Sequence, residues 1–202
     1  MTLELFFNEI RRTIFGGKLN QPQVTNIEII LDTWRRLLPG ADLRWIANSL
    51  AQIHHETGGR MTPVRETFAD SDEVARARLE RAWKQGRLPW VKNPYWGDGW
   101  FGRGHIQLTH RRNYLRMGER IGVDLVANPS LMLDSKISAE AAIIGMVEGL
   151  FTGRKLADYF NDTTDDPLNA RRIINGPDGT DQRVSSLHER FLRALTSATR
   201  ST

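Results

Sequence analysis

Apolar residues recur along most of the chain at the three- and four-residue spacing of helices, and one long stretch interrupts this pattern. The first helical run begins near Leu3 and stops at a glycine pair. Thr25 and Glu28 form a capping box that predicts the start of the second helix. Further helices are predicted over residues 42–57, 71–85, 110–121, 138–150, 154–159, 166–174 and from 181 onward. The pattern predicts an all-α fold with at most a short strand at residues 105–108.

The third predicted helix ends in a group of polar side chains. Asp42 can cap its start, an apolar stripe runs from Leu43 to His54, and residues 54–59 (His-His-Glu-Thr-Gly-Gly) close it. Glu56 lies in the last turn, off the centre of the buried face. The negative end of the helix dipole and partial burial would both raise the pKa of this carboxyl, as a general acid requires. An ordinary solvated glutamate is the alternative.

A second glutamate, Glu66, follows ten positions later, beyond a bend that contains glycine and proline. Glycoside hydrolysis uses two carboxyl groups across a sugar cleft, roughly 6.5–9.5 Å apart in inverting enzymes. A bend of ten residues can provide that separation. The chain has 24 acidic residues, so the pair alone is weak evidence, and Glu73 and Glu80 are alternatives for the second carboxylate.

Residues 88–109 form a long loop rich in aromatic residues and glycine, a composition that argues for function and against disorder. Trp100 and its aromatic neighbours could lie against the apolar faces of sugar rings, although core packing is expected for most of the six tryptophans. Thr109 is predicted to cap the next helix, which would place Gln107, Thr109 and Asn113 around one cleft. Taken alone, Asn175 is a turn residue.

Composition narrows the possible partners and cofactors. The chain has no cysteine, which excludes disulfides and thiolate metal sites. His55-Glu56 resembles the start of a zinc-protease helix, but Gly59 occupies the position where the second histidine is needed, so no metal or other cofactor is expected. The net charge of +4 suits an anionic partner. We find no signal peptide or membrane-spanning run, and therefore expect cytoplasmic synthesis and no membrane insertion.

Three stretches, in order, resemble the signature blocks of glycoside hydrolase family 19, which contains chitinases and phage or prophage endolysins. They are residues 54–59, residues 101–109 (Phe-Gly-Arg-Gly-His-Ile-Gln-Leu-Thr) with Asn113 and Tyr114, and residues 172–176 (Arg-Ile-Ile-Asn-Gly). The compact, cysteine-free chain is more similar to the endolysin-like members. The resemblance spans roughly residues 43–195 and implies a lysozyme-like helical fold with long loops around a substrate cleft. Because no linker or internal repeat is visible, we expect a single domain over residues 1–202, with helices of residues 1–40 packed on the catalytic core.

The resemblance also implies an inverting, metal-free mechanism. Glu56 matches the general acid, Glu66 is similar in placement to the general base of short bacterial and phage members, and Thr109 matches a residue that helps hold the attacking water. The positions used around the substrate or the catalytic groups are matched by His55, Gln107, Asn113 and Asn175. Plant members carry a supporting acid and arginine after the last block. In this chain Gly-Pro-Asp-Gly (176–179) follows instead, then Asp181 and Arg183, which leaves this support unassigned.

These observations favour an endolysin-type hydrolase that cleaves β-1,4 bonds of peptidoglycan. A chitinase acting on N-acetylglucosamine polymers is the nearest alternative. A non-catalytic binder of cell wall or nucleic acid, using the arginines of residues 65–120, ranks lower, and nucleic-acid binding is not expected. The resemblance implies a monomer that acts at the cell wall after release and needs a separate membrane-permeabilising protein.

Overall fold

The computed structural model describes residues 2–200, and nearly all of its regular structure is helical, which confirms the predicted all-α class. The α-helices are α1 (Leu3–Thr13), α2 (Gln21–Leu37), α3 (Leu43–Glu56), α4 (Asp72–Lys84), α5 (Arg111–Ile121), α6 (Ser135–Glu148), α7 (Leu156–Tyr159) and α8 (Asp181–Arg200). Short 3-10 helices cover Glu66–Phe68, Pro129–Leu133 and Asn169–Ile173. Two antiparallel strands, β1 (Val64–Arg65) and β2 (Arg103–Gly104), complete the set.

Helix α3 is the central helix of the molecule. Every residue from 46 to 53 is buried, and α3 packs mainly against α8, with further contacts to α2 and α6. Its start agrees with the prediction, because the Asp42 side chain accepts a hydrogen bond of 2.8 Å from the backbone N–H of Arg44. A helix surrounded by others has little freedom to move, so the residue at its end, Glu56, is held at a fixed point.

Two predicted helix starts are wrong. Helix α2 begins at Gln21, because the side chain of Asn20 accepts from the backbone of Gln23 and the side chain of Gln23 accepts from the backbone of Asn20. This earlier capping box leaves Thr25 inside the helix. Helix α5 begins after His110, and the Thr109 hydroxyl donates to the Gln107 carbonyl (2.8 Å) instead of capping the helix.

The strand and one helix are also misplaced by the sequence pattern. The strand β2 precedes residues 105–108 and pairs with β1, with Val64 opposite Gly104. The segment predicted as a helix from Asp166 contains only the 3-10 helix Asn169–Ile173. Helix α6 begins three residues before the predicted Ser138, since Asp134 accepts from two backbone N–H groups of its first turn.

The buried apolar residues form two clusters. The larger one involves α1, α2, α3, α5, α6 and α8, and the smaller one lies between α4 and the aromatic loop. We call α4 together with residues 85–101 the aromatic lobe. The buried Arg103 joins the two clusters: its guanidinium lies 3.8 Å from the centroid of the Phe101 ring, and it donates to Tyr114 Oη (3.1 Å) and to Asp72 Oδ2 (2.6 Å).

Helix α8 closes the fold by packing against both α3 and α1. Near the two ends of the described chain, the backbone N–H of Thr2 donates to the carbonyl of Ala198 at 2.9 Å. Within residues 2–200, no helix combines the length and apolar character that a membrane crossing requires.

Candidate active site

Glu56 is the last residue of α3, and its side chain is only 14% exposed. Burial raises the pKa of this carboxyl, and the nearby Asp178 acts in the same direction, while the guanidinium of Arg171 opposes the rise. The closest charged contact joins Glu56 Oε1 to Arg171 Nη1 at 2.6 Å. The carboxyl thus combines the environment of a proton donor with a cation that can stabilise its ionised form.

Arg171 is a buried hub beside Glu56, with 3% of its side chain exposed. Its Nη1 also donates to Gln52 Oε1 (3.0 Å), one turn before Glu56 on α3. On the other side, Nε and Nη2 donate to Asp178 Oδ2 at 3.0 and 2.7 Å, and Nε also donates to Thr180 Oγ1 (3.1 Å). Burial by itself would raise the pKa of Asp178, but these hydrogen bonds outweigh it and hold the pKa well below its usual range.

Sequence reasoning alone does not identify the acid and the arginine beside Glu56. Asp178 comes from the turn after the third block, where the plant pattern provides an acid, but the arginine that contacts Glu56 precedes that turn. Asp181 and Arg183 are the nearest candidates in the sequence for this supporting pair. Arg183 is exposed, and its charge affects the pKa of His55. The 3-10 segment Asn169–Ile173 holds two arginines, and nothing in the sequence distinguishes the buried Arg171 from the exposed Arg172.

Two predicted binding residues flank this hub. His55 is half-buried, and its buried Nδ1 lacks a hydrogen-bond partner in the described part of the chain. Burial lowers the pKa of His55, and the charges of Arg171 and Arg183 lower it further, so the ring is neutral near pH 7. Asn175 is exposed, and its Nδ2 donates to Asp178 Oδ2 at 3.3 Å. Both side chains therefore belong to the Glu56 side of the site.

Glu66 begins the short 3-10 helix directly after β1, and both of its carboxylate oxygens are held. Oε1 accepts from the hydroxyl of Tyr95 and Oε2 accepts from the backbone N–H of Gly102, each at 2.7 Å. The backbone N–H of Glu66 donates in turn to the Gly102 carbonyl at 2.7 Å. These bonds connect Glu66 to the aromatic lobe and fix its orientation. The alternative Glu80 instead pairs with Lys84 and accepts from Trp96.

Thr109 and Gln107 lie beside the glycine that holds Glu66. A Cβ atom built on Gly102 would stand 3.3 Å from Thr109 Oγ1 and 2.8 Å from Gln107 Oε1. Gln107 Nε2 donates to the carbonyls of Val64 (3.0 Å) and Gly104 (3.2 Å), so its amide also ties the loop to β1 and β2. Gly102 therefore binds Glu66 through its backbone N–H, and its lack of a side chain leaves room for Gln107 and Thr109.

Asn113 and Trp100 lie at the edge of this group. Asn113 Nδ2 donates to the carbonyl of Thr109 at 2.7 Å, which fixes the start of α5 below the threonine. The Trp100 ring is half-buried and packs at 5.5 Å, between centroids, against Tyr114 of the main core. Trp100 thus has a packing contact as well as a partly open face.

The bends after the two glutamates touch each other. Phe68 lies over Gly58, where a Cβ atom would stand 3.1 Å from the end of its ring, and the Arg60 guanidinium lies 4.1 Å from the ring centroid. Thr67 and Phe68 both have positive φ angles, of 61° and 53°, a conformation rare for residues with a side chain. Strained backbone of this kind clusters at functional sites.

Comparison with known proteins places this site in a family. The model for glycoside hydrolase family 19, described as chitinase class I, matches residues 40–148, more than half of the chain. The chain belongs to glycoside hydrolase family 19. The match contains the first two sequence blocks, and so confirms the resemblance drawn from them. The third block lies beyond it.

Solved structures of family 19 members share the fold. Chitinase C from Streptomyces griseus HUT6037 superimposes with a TM-score of 0.54 at 20% identity, over 97% of this chain and 75% of that one. A bacterial family 19 chitinase gives a TM-score of 0.55 at 20% identity, over 95% and 93% of the two chains. At this identity the likeness shows the fold alone, and it confirms the predicted lysozyme-like helical architecture.

Plant family members are similar over a shorter stretch. Endochitinase 1 from Solanum tuberosum is 52% identical over 48 residues, which is 23% of this chain and 15% of that protein. Acidic endochitinase Q from Nicotiana tabacum is 51% identical over 47 residues, 23% of this chain and 19% of that protein. The matched stretch thus covers less than a fifth of these curated relatives.

The site combines two carboxyl groups in different environments. One is buried beside Arg171, and the other is oriented by Tyr95 and Gly102. Within residues 2–200, no group of three or more histidine, aspartate or glutamate side chains is arranged to hold a metal ion. A buried carboxyl group with a raised pKa, such as that of Glu56, is suited to proton donation.

Proposed function

We propose that this family 19 chain hydrolyses β-1,4 bonds between amino sugars by an inverting mechanism, with peptidoglycan as its substrate. The observation that carries the proposal is the contrast between two glutamates ten residues apart. Glu56 is buried with a raised pKa, whereas both carboxyl oxygens of Glu66 accept hydrogen bonds, one from Tyr95 and one from the backbone of Gly102. Two carboxyl groups with different environments are what acid and base roles require.

In the proposed reaction, Glu56 donates its proton to the oxygen that bridges two sugars, and the bond from that oxygen to the anomeric carbon breaks. Glu66 accepts a proton from the water that attacks the same carbon from the opposite face. The hydroxyl of the water becomes part of the new reducing end, with inverted configuration. Exchange of one proton with solvent at each glutamate restores the starting state.

Arg171 supports the acid after the proton has left. The ionised Glu56 then lies 2.6 Å from a buried guanidinium that already stands in place, so little reorganisation is needed. The hydrogen bonds to Asp178 and Gln52 fix the guanidinium from two other directions. On this proposal, Arg171 and Asp178 provide the support that plant members obtain from residues after the last block.

Thr109 is proposed to help Glu66 hold the attacking water. Its hydroxyl lies beside Gly102, the residue whose backbone N–H donates to Glu66 Oε2. The neutral His55, Asn175 and the partly open Trp100 are proposed to contact the glycan, as are Gln107 and Asn113.

Replacing Glu56 by glutamine tests its proposed role as the general acid. Glu56→Gln should abolish release of reducing ends from purified peptidoglycan while circular dichroism stays unchanged, because the amide keeps the shape and lacks a transferable proton. Glu148→Gln is the matched control, since Glu148 is the exposed last residue of α6 and forms an ion pair with Arg120. Full activity of the Glu56 variant would refute the assignment.

The choice between peptidoglycan and chitin needs a separate measurement. The names of the plant and bacterial relatives favour chitin, whereas the net charge of +4 favours an anionic polymer. Mass spectrometry of digested sacculi and colloidal chitin should show products from the sacculi, and the sugar at the reducing end identifies the bond. Products from chitin alone would make the chain a chitinase. In the endolysin role, a separate membrane-permeabilising protein would give access to the wall.

A further inference from the structure

The aromatic lobe carries a patch of unpaired positive charge. Residues 81–97 contain four cationic side chains and no acidic one, a local charge equal to the net charge of the whole chain. Arg81, Lys84, Arg87 and Lys92 are all exposed. Among the described residues, only Lys84 of these four pairs with a carboxylate, that of Glu80. Three cations are therefore available to an anionic partner.

Between Arg87 and Lys92 in the sequence is a tryptophan with most of its ring in solvent. Trp90 is 72% exposed, more than any other large apolar side chain that the structure describes. Its turn is well fixed, because the Trp83 indole N–H donates to the Val91 carbonyl at 3.0 Å and the Val91 N–H donates to the carbonyl of Leu88. Leu88 and Val91 pack into the small cluster below, so Trp90 alone faces outward.

This surface is connected to the proposed active site through its own loop. Tyr95, five residues after Trp90, is the donor to Glu66 Oε1. A polymer bound along the patch would therefore contact the same segment that orients the second carboxylate. We propose that the surface formed by Trp90, Arg87 and Lys92 binds acidic strands of peptidoglycan outside the catalytic cleft, an inference that rests on the proposed function.

The chemistry of the patch favours a charged glycan over a membrane or a neutral polymer. One exposed ring offers a stacking face for a single sugar, while the surrounding cations match the carboxylates of the peptide stems. Attachment to lipid requires a wide apolar face, and the neighbouring apolar residues of this turn are turned inward. Chitin carries no carboxylates for the cations to meet.

Binding can be measured apart from catalysis with the Glu56→Gln variant, which is expected to be inactive. The variant is co-sedimented with purified sacculi, colloidal chitin and anionic phospholipid vesicles. Adding Arg87→Gln and Lys92→Gln should weaken binding to sacculi roughly fivefold at low salt, since exposed charge contacts are individually modest. Trp90→Ala should weaken it similarly and with less dependence on salt. The matched control is the pair Arg11→Gln and Lys18→Gln, exposed cations of the N-terminal region.

The outcomes separate the possibilities. Loss of sacculus binding in the patch variants but not in the control pair supports the proposal, whether or not the wild-type protein cleaves the glycan. Equal losses of sacculus binding in the patch pair and in the control pair would show that net charge alone explains the effect, and would overturn the proposal. Binding to vesicles or chitin that depends on the patch, without patch-dependent binding to sacculi, would also overturn it.

A second inference comes from the strained turn after Glu66. Arg78 Nη1 donates to the carbonyl of Thr67 at 2.9 Å, which holds that residue in its left-handed conformation, although its buried hydroxyl finds no partner among residues 2–200. In this backbone conformation the ring of Phe68 lies over Gly58, two residues after Glu56. We infer that Phe68 is a positioning residue that sets the separation of the two glutamates by linking the bends that follow them.

Kinetics can distinguish positioning from sugar contact. Phe68→Ala should lower kcat at least tenfold with KM changed less than twofold, and Phe68→Leu should restore part of kcat. Thr67→Gly should raise the melting temperature, because glycine tolerates the left-handed conformation, and yet lower kcat by loosening the turn. A raised KM with unchanged kcat would make Phe68 a substrate contact instead, and unchanged kinetics in all three variants would overturn the inference.

Discussion

Replacing Arg171 by methionine should raise the pKa of Glu56 further. Burial and Asp178 raise this pKa in the native protein, and the guanidinium of Arg171 opposes them. Without the cation, the carboxyl would keep its proton to higher pH. Because the general acid works only when protonated, activity falls as pH rises through this pKa. The alkaline limb of the pH–rate profile should therefore move to higher pH in Arg171→Met.

The structure sets the size of this shift. The charges approach to 2.6 Å, with 14% of the Glu56 side chain and 3% of the Arg171 side chain exposed, so solvent screens the pair only partly. An opposite charge this close changes a carboxyl pKa by about 1–3 units. We expect the limb to move by roughly 1–3 pH units, and maximal kcat to fall because the ionised Glu56 loses its support.

The assay is kcat/KM against pH on a soluble oligosaccharide, measured well below the melting temperature of each variant, since removing Arg171 leaves Asp178 and Gln52 without their partner. Asp178→Asn provides a control of opposite sign. Asp178 raises the pKa of Glu56, so its removal should move the same limb to lower pH. Two results would refute the assignment of Glu56 as a general acid whose pKa depends on these two charges. One is an alkaline limb that moves in the same direction in both variants, and the other is an alkaline limb that does not move in Arg171→Met.

Three further predictions concern the second carboxylate and stability. Tyr95→Phe removes a 2.7 Å hydrogen bond to a carboxylate and should lower kcat about tenfold, with unchanged kcat contradicting the role. Burial lowers the pKa of His105 from 6.5 to about 4 in the folded protein. Between these pH values the unfolded chain binds a proton at this residue and the folded chain does not, so the free energy of unfolding falls as pH falls, by at most about 1.4 kcal/mol per pH unit. Denaturation of His105→Gln should therefore show a stability that depends less on pH in this range. Gly145→Ala would place a Cβ under 3.0 Å from a phenylalanine ring and destabilise by about 1–3 kcal/mol, whereas Gly97→Ala, in open space, should be neutral in the same denaturation experiment.

Local sequence signals predict those parts of the fold that local interactions decide. The stop of α3 at Glu56 follows from a glycine pair, and the start of α4 from the Ser71 side chain, which accepts from the Val74 N–H. The predicted start of α2 is wrong because two capping boxes compete there. Asn20 and Gln23 form the capping box that the structure shows, and the first turn therefore begins at Gln21.

The partners of the two glutamates depend on contacts far apart in sequence. Arg171 reaches Glu56 across more than a hundred residues, and Tyr95 reaches Glu66 across 29. Hydrophobic spacing carries no information about such pairs, because each involves a single polar side chain whose direction is set by tertiary packing. The family blocks indicate which glutamates matter, whereas the groups that tune them become visible only in three dimensions.

The hydrogen bond between Thr2 and Ala198 places the first and the last segments that the structure describes side by side. A tag or an added protein module fused at either end would therefore emerge from nearly the same point. The ends are also close enough for a short linker to join them, which makes circular permutation feasible, with new termini opened in an exposed turn such as that at Gly153. Fusion at this shared point is the natural way to attach a reporter for imaging or immobilisation.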